Sequence, residues 1–156
     1  MSLISISSEA ELLNSFRPHD RKTVYVPRGW QFPISQNYYL AWVEPYGVRT
    51  FLAFKEPQWK HLVGVSFRRD QQGSSVSAPG MCDWCHAHGT SDQIGLLTTR
   101  VSSNRRVGVN LCLDLSCIDK MADAAKQMGM DLDRMAAVHR QRMAHFCQAA
   151  LGFRFS

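Results

Sequence analysis

Two pairs of cysteines constrain this chain more than any other feature. Cys82 and Cys85 stand in Cys82-Asp83-Trp84-Cys85, and Cys112 and Cys117 follow after the 26 residues at positions 86–111. A two-residue spacing turns both thiolates toward one ion across a tight knuckle. A second pair, brought back by an intervening hairpin, completes a tetrahedral four-sulfur site, which suits zinc. Such a sphere leaves no open position for water or substrate, so a single zinc here holds the fold rather than doing chemistry.

Other uses of these residues fit less well. Disulfides suit exported chains, and no basic stretch followed by an apolar run stands ahead of the domain. Cys82 to His86 also reads C-x-x-C-H, the covalent haem attachment pattern, but that leaves Cys112 and Cys117 without a role. A thioredoxin-like redox pair expects a strand-to-helix placement, which the flanking glycines do not supply. His86 and His88 stand beside Cys85 as alternative ligands, behind four better-spaced thiols.

The chain of 156 residues can bury one real core. Hydrophobic residues are 45% and charged residues 20%, an ordinary globular balance. No apolar run approaches the roughly 20 residues needed to span a bilayer. A cytoplasmic protein is expected, with no membrane among its partners. Eighteen basic against thirteen acidic residues give a net charge of +5. This biases long-range attraction toward acidic protein, RNA or the ribosome surface. The chain has no phosphate-cradling glycine loop, no G-x-S-x-G elbow and no H-E-x-x-H. Neither an enzyme nor a small-molecule substrate is therefore expected.

The fold class expected is α+β, an antiparallel meander joined to a zinc finger and followed by C-terminal helices. Residues 1–35 form an N-terminal helix and an extended segment. Ser8 and Glu11 make a capping box for that helix, which runs to about Arg17 and stops before Pro18. Residues 36–156 form one compact unit. Its first strands, Asn37–Glu44, Val48–Lys55 and Lys60–Arg68, are rich in aromatic and β-branched residues. Glu44-Pro45-Tyr46-Gly47 between the first two suits a type I turn. Gln71 to Gly80 is a small-residue loop leading to the first knuckle.

The metal block then reads as knuckle, hairpin and helix. Strands over Ile94–Val101 and Arg106–Leu111 flank a turn at residues 102–105. Asp114 caps a helix with Cys117 at its third position, near the partial positive charge that stabilises a thiolate. That helix ends near Gly129. A last helix runs from Asp131 or Asp133 to Leu151, closed by Gly152, with Leu132, Met135, Val138, Met143, Phe146, Cys147 and Ala150 as its apolar stripe. Cys147 on that stripe reads as a buried core thiol.

From Tyr38 to about Met121 the chain resembles the C-terminal treble-clef domain of the elongation factor G-binding proteins, the FusB type. The resemblance rests on L-A-W-V-E, V-G-V-S-F-R, G-M-C-D-W-C, I-G-L-L-T-T-R and N-L-C-L-D-L-S-C. It implies a treble-clef fold, zinc held by Cys82, Cys85, Cys112 and Cys117, and elongation factor G as the partner. In that family, founding members free the factor trapped on the ribosome by fusidic acid. A ribosome- or RNA-binding module without the factor is the alternative. The candidate partner-binding residues are Trp84 on the knuckle, Arg100, Arg105 and Arg106 on or beside the hairpin, and Arg68 and Arg69 closing the third strand. For Trp84 the competing role is packing against its own domain.

Overall fold

A computed structural model describes residues 3–70 and 80–154. In chain order the elements are β1 (Leu3–Ile6), α1 (Glu9–Asn14), α2 (Pro18–Arg21), β2 (Ile34–Asn37), β3 (Tyr39–Val43), β4 (Arg49–Phe54), β5 (Val63–Arg69), β6 (Gly80–Met81), β7 (His88–Gly89), β8 (Ile94–Ser102), β9 (Arg105–Cys112), α3 (Cys117–Met128) and α4 (Leu132–Leu151). This is the expected α+β arrangement. The loop expected over Gln71 to Gly80 lies outside the described residues, except for Gly80, which opens β6.

The meander forms as β3, β4 and β5, antiparallel throughout. At the first turn the Gly47 amide donates to the Glu44 carbonyl at 2.9 Å, and Gly47 takes a φ of +71°, which only glycine adopts cheaply. The meander does not stand apart from the metal block. One five-stranded sheet runs in the order β3-β4-β5-β8-β9. Its junction is narrow among the described residues: β5 and β8 pair at Arg68↔Thr98 and Arg69↔Leu97, and the Asp70 amide donates to the Leu96 carbonyl just beyond. Past those rungs the end of α1 moves in beside β5. The Gly64 amide donates to the Ser15 carbonyl at 3.0 Å, and the Arg17 guanidinium donates to the Arg100 carbonyl on β8.

Alternation along the strands feeds two cores. On one face Leu40, Trp42, Phe51 and Ala53 pack with Ile4, Ile6, Leu12 and Phe16 from the N-terminal segment. On the other face Tyr39, Leu52, Phe54, Val65, Phe67 and Leu97 pack against α3, α4 and the cysteines. Both faces of the meander are thus covered, which is why its strands read as nearly continuous apolar runs rather than alternating ones.

Several local expectations need correction. Ser8 caps α1 by accepting from the Glu11 amide, but Glu11 reaches back to the Ser7 amide at 2.7 Å rather than to that of Ser8. The helix ends at Asn14, and Pro18 starts α2 instead of merely halting α1, since proline suits a first helical position. Strands β1 and β2 were not foreseen; they pair antiparallel, Leu3↔Asn37 to Ile6↔Ile34. Gly129 and Gly152 close α3 and α4 in left-handed geometry as expected.

The contact of α1 with β5 leaves no room at Gly64. A Cβ there would stand 2.6 Å from both Phe16 Cδ1 and Ser15 Oγ, and Phe16 is itself buried. Gly64→Ala should therefore destabilise the zinc-loaded protein by about 1–3 kcal/mol in urea unfolding. An unchanged midpoint would mean that α1 docks loosely.

Candidate metal centre

The knuckle is shaped by backbone hydrogen bonds. The two-residue strands β6 and β7 pair Met81↔His88, and between them the Cys82 amide donates to the Ala87 carbonyl and the His86 amide to the Cys82 carbonyl. His86 takes a φ of +63°, which turns the chain back. The Cys85 amide points at Cys82 Sγ, 3.4 Å away. Asp83 staples the knuckle to β9: its amide donates to the Asn110 carbonyl at 2.8 Å, and its carboxylate accepts from the Asn110 amide.

The β8–β9 hairpin returns Cys112 to this knuckle, and α3 supplies Cys117. Cys117 is the first residue of α3, not the third, and Ser116 is the cap. Asp114 acts one turn earlier, accepting from the Ser116 amide at 3.0 Å. Leu115, with a φ of +56°, absorbs the reversal between strand and helix. The mistake in position leaves the electrostatics intact, because a first-turn thiolate still faces the helix dipole.

All four Sγ atoms lie within 4.8 Å of one another, with Cys82–Cys117 and Cys85–Cys112 both at 3.7 Å. Four thiolates at about 2.3 Å from a tetrahedral zinc would stand about 3.8 Å apart. The cluster therefore fits one structural zinc. Cys82 and Cys112 are pushed toward the thiolate, Cys82 chiefly by its hydrogen bond with Cys112, and Cys112 chiefly by that with Cys117. Cys85 and Cys117 are pushed the other way, chiefly by their hydrogen bonds with Cys112. A dication removes this conflict because it stabilises all four thiolates together. Lys120 adds to it, with Nζ 3.0 Å from Cys112 Sγ.

The surroundings lock the site into both halves of the molecule. The Tyr39 hydroxyl donates to the Leu115 carbonyl and accepts from the Ile118 amide, bracketing Cys117. Thr50 Oγ1 donates to the Leu113 carbonyl at 2.7 Å. From α4, Arg142 donates to the Trp84 carbonyl at 2.8 Å. Trp84 is only 3% exposed, with its ring against Phe67, Phe146 and His139. It packs the core between knuckle and α4.

His139 was not foreseen as a core residue. It is buried on α4, stacked on Tyr39 with ring centroids 5.4 Å apart, and its Nε2 has no hydrogen-bond partner among the described residues. Cys147, on the same helix, is buried as expected, whereas Val138 of the proposed stripe is 41% exposed.

The arginines divide by strand alternation. Arg49 stands directly opposite Arg68, Arg68 opposite Thr98, and Arg100 opposite Arg106. Arg49, Arg68, Arg100 and Arg106 thus share one face of the sheet, beside the part that the N-terminal segment covers. Arg106 Nε donates to Thr98 Oγ1 at 3.1 Å. Partial burial, then the charge of Arg68, hold the Arg106 guanidinium below its ordinary range. Arg69 belongs to the opposite face, beside Asp92 and Lys120, and Arg105 sits exposed at the hairpin turn. Arg49 was missed because no single strand shows the patch; only cross-strand register assembles it.

The family model for the FBP C-terminal treble-clef zinc-finger matches residues 9–153. The chain belongs to this family. The match extends on both sides of the Tyr38–Met121 stretch, taking in α1 and α4. The fold is similar to the structure of the fusidic acid resistance protein FusC, with a TM-score of 0.51 at 15% identity over 78% of this chain. The likeness spans 58% of the FusC chain. No curated protein matches the sequence. No helix among the described residues is long and apolar enough to cross a membrane.

Two outcomes test the site. Cys112→Ala should lose stoichiometric zinc and lower the melting temperature, because three thiolates leave the second half of the sphere unpinned. Full zinc content in metal analysis together with an unchanged melting temperature would remove Cys112 from the ligand set. The second concerns acid. Burial pushes the His139 imidazole down to about 4 from its ordinary 6.5, so the unfolded chain takes up this proton first. The stability it carries is complete above about pH 6.5 and is lost as pH falls toward 4. The wild-type advantage over His139→Leu in urea unfolding should accordingly shrink by up to about 3 kcal/mol across that window. A pH-independent difference would show that His139 is not held neutral.

Proposed function

We propose that this protein is a cytoplasmic, zinc-stabilised adaptor that binds elongation factor G and modulates its release from the ribosome. Membership of the FBP C-terminal treble-clef family over residues 9–153 carries this reading. The fold likeness to a fusidic acid resistance protein supports the same direction and makes resistance the activity to test. A four-thiolate sphere with no open position favours binding over catalysis.

The face bearing Arg49, Arg68, Arg100 and Arg106 is the proposed contact surface. Like charges directly opposite each other on neighbouring strands oppose folding, so two such pairs suit an anionic surface better than they suit the isolated chain. Arg69 and Arg105 flank this surface and contribute longer-range attraction. Trp84 acts from beneath, by holding the knuckle on α4. The same guanidinium pairs favour a second reading, a module that binds ribosomal RNA through its phosphates without the factor.

Calorimetric titration into purified elongation factor G separates them. Saturation near one-to-one is expected. Changing Arg68 and Arg106 together to Glu should weaken binding about ten-fold or more while zinc content holds. Silence with the factor, alongside RNA affinity that collapses steeply with salt, would replace the first reading with the second.

A further inference from the structure

The outer edge of β9 is an open template. Among the described residues, strand β9 ends the five-stranded sheet, with β8 on one side only. Backbone groups along an antiparallel strand alternate between neighbour and outside. The Asn110 amide and carbonyl face outward, since both bond to Asp83 on the knuckle. Two and four residues back, Gly108 and Arg106 repeat that orientation, ahead of the irregularity between Arg100 and Ser102 on the partner strand. Their outward amides and carbonyls have no partner among the described residues. Proteins usually blunt such an edge with charged side chains, proline, a bulge or inward-pointing charge. Between Arg106 and Asn110 the chain has only the charge of Arg106 itself. It has an exposed glycine flanked by Val107 and Val109.

The two sides of this edge differ. On one side Arg106 stands with Arg100 and Arg68. On the other a groove of about 620 Å³ runs between β9 and α4, walled by Val107, Val109, Trp84, Val138, Phe146 and Ala149. A strand laid along β9 would set alternate side chains into these unlike surroundings.

We infer that β9 captures an extended segment of its partner by strand addition, pairing with the backbone of Arg106 and Gly108. The segment carries acidic side chains toward the arginines and apolar ones into the α4 groove. This rests on the proposed binding of elongation factor G and names how the factor is held. Main-chain hydrogen bonds supply affinity, and the two flanking surfaces select the sequence. Gly108 allows close approach of the incoming backbone.

The test compares Gly108→Pro with Gly108→Ala. A Cβ at 108 meets Leu96 Cδ1 at 2.7 Å, but Leu96 is 39% exposed and can turn aside. Both variants share that contact, and only proline removes the outward N–H, leaving the ladder with β8 intact. Titrated into elongation factor G, Gly108→Ala should stay within about three-fold of wild type. Gly108→Pro should bind about ten-fold more weakly, at equal zinc content. Hydrogen exchange on the wild-type complex gives a readout that needs no variant: the amides of Arg106 and Gly108 should slow at least about ten-fold when the factor is bound. Tight binding with unchanged exchange at both amides overturns strand addition and leaves the adaptor reading standing. Absence of wild-type binding overturns both.

Discussion

Four sulfurs drawn within 4.8 Å join pieces of chain from a knuckle, a hairpin and a helix. Everything else in this half of the molecule is arranged around that junction. The elements it connects are individually too small to persist: β6 and β7 are two residues each, and α3 begins at its own ligand. Short hairpins and single helices are marginal in water. A metal that binds only the assembled site adds its binding free energy to folding. The meander gains from this indirectly, because Tyr39 and Thr50 bond to the backbone on either side of Cys117.

The same sheet that anchors the metal block carries a local cost. Arg49 opposite Arg68 and Arg100 opposite Arg106 set like charges at the closest cross-strand spacing. Partial relief comes from within: Glu44 lies 3.9 Å from Arg49, and Arg106 donates to the carbonyl of Thr98. Sequences usually agree with their folds at every level, and departures gather where function intrudes.

What could be read from the sequence followed from local spacing. Cysteine separation identified the ligands, aromatic and β-branched runs identified the meander, and Gly129 and Gly152 marked helix ends. What escaped depends on register between distant segments. Leu3–Ile6 shows no long pattern, and only its pairing with Ile34–Asn37 makes it a strand. The union of the meander with the metal hairpin rests on a few cross-strand bonds between distant residues, thirty positions apart in the case of Arg68 and Thr98. Alternation then placed Arg69 on the opposite face and brought in Arg49. His139 escaped because a polar type does not announce burial, and Asp114 because an Asx-type bond before a helix looks the same in sequence as a cap.

The narrow seam between β5 and β8 also ties distant parts of the chain together. The end of α1 sits beside that seam, with Ser15 on Gly64 and Arg17 on Arg100. The Arg17–Arg100 bond spans 83 positions, so this short helix is fully anchored only where β8 is in place. The β8–β9 hairpin and the α3–α4 pair need only near neighbours, and local contacts form fastest. The Arg17 bond joins far more distant positions, so it costs more loop-closure entropy to form, and it is what ties the second core across the seam to the metal hairpin.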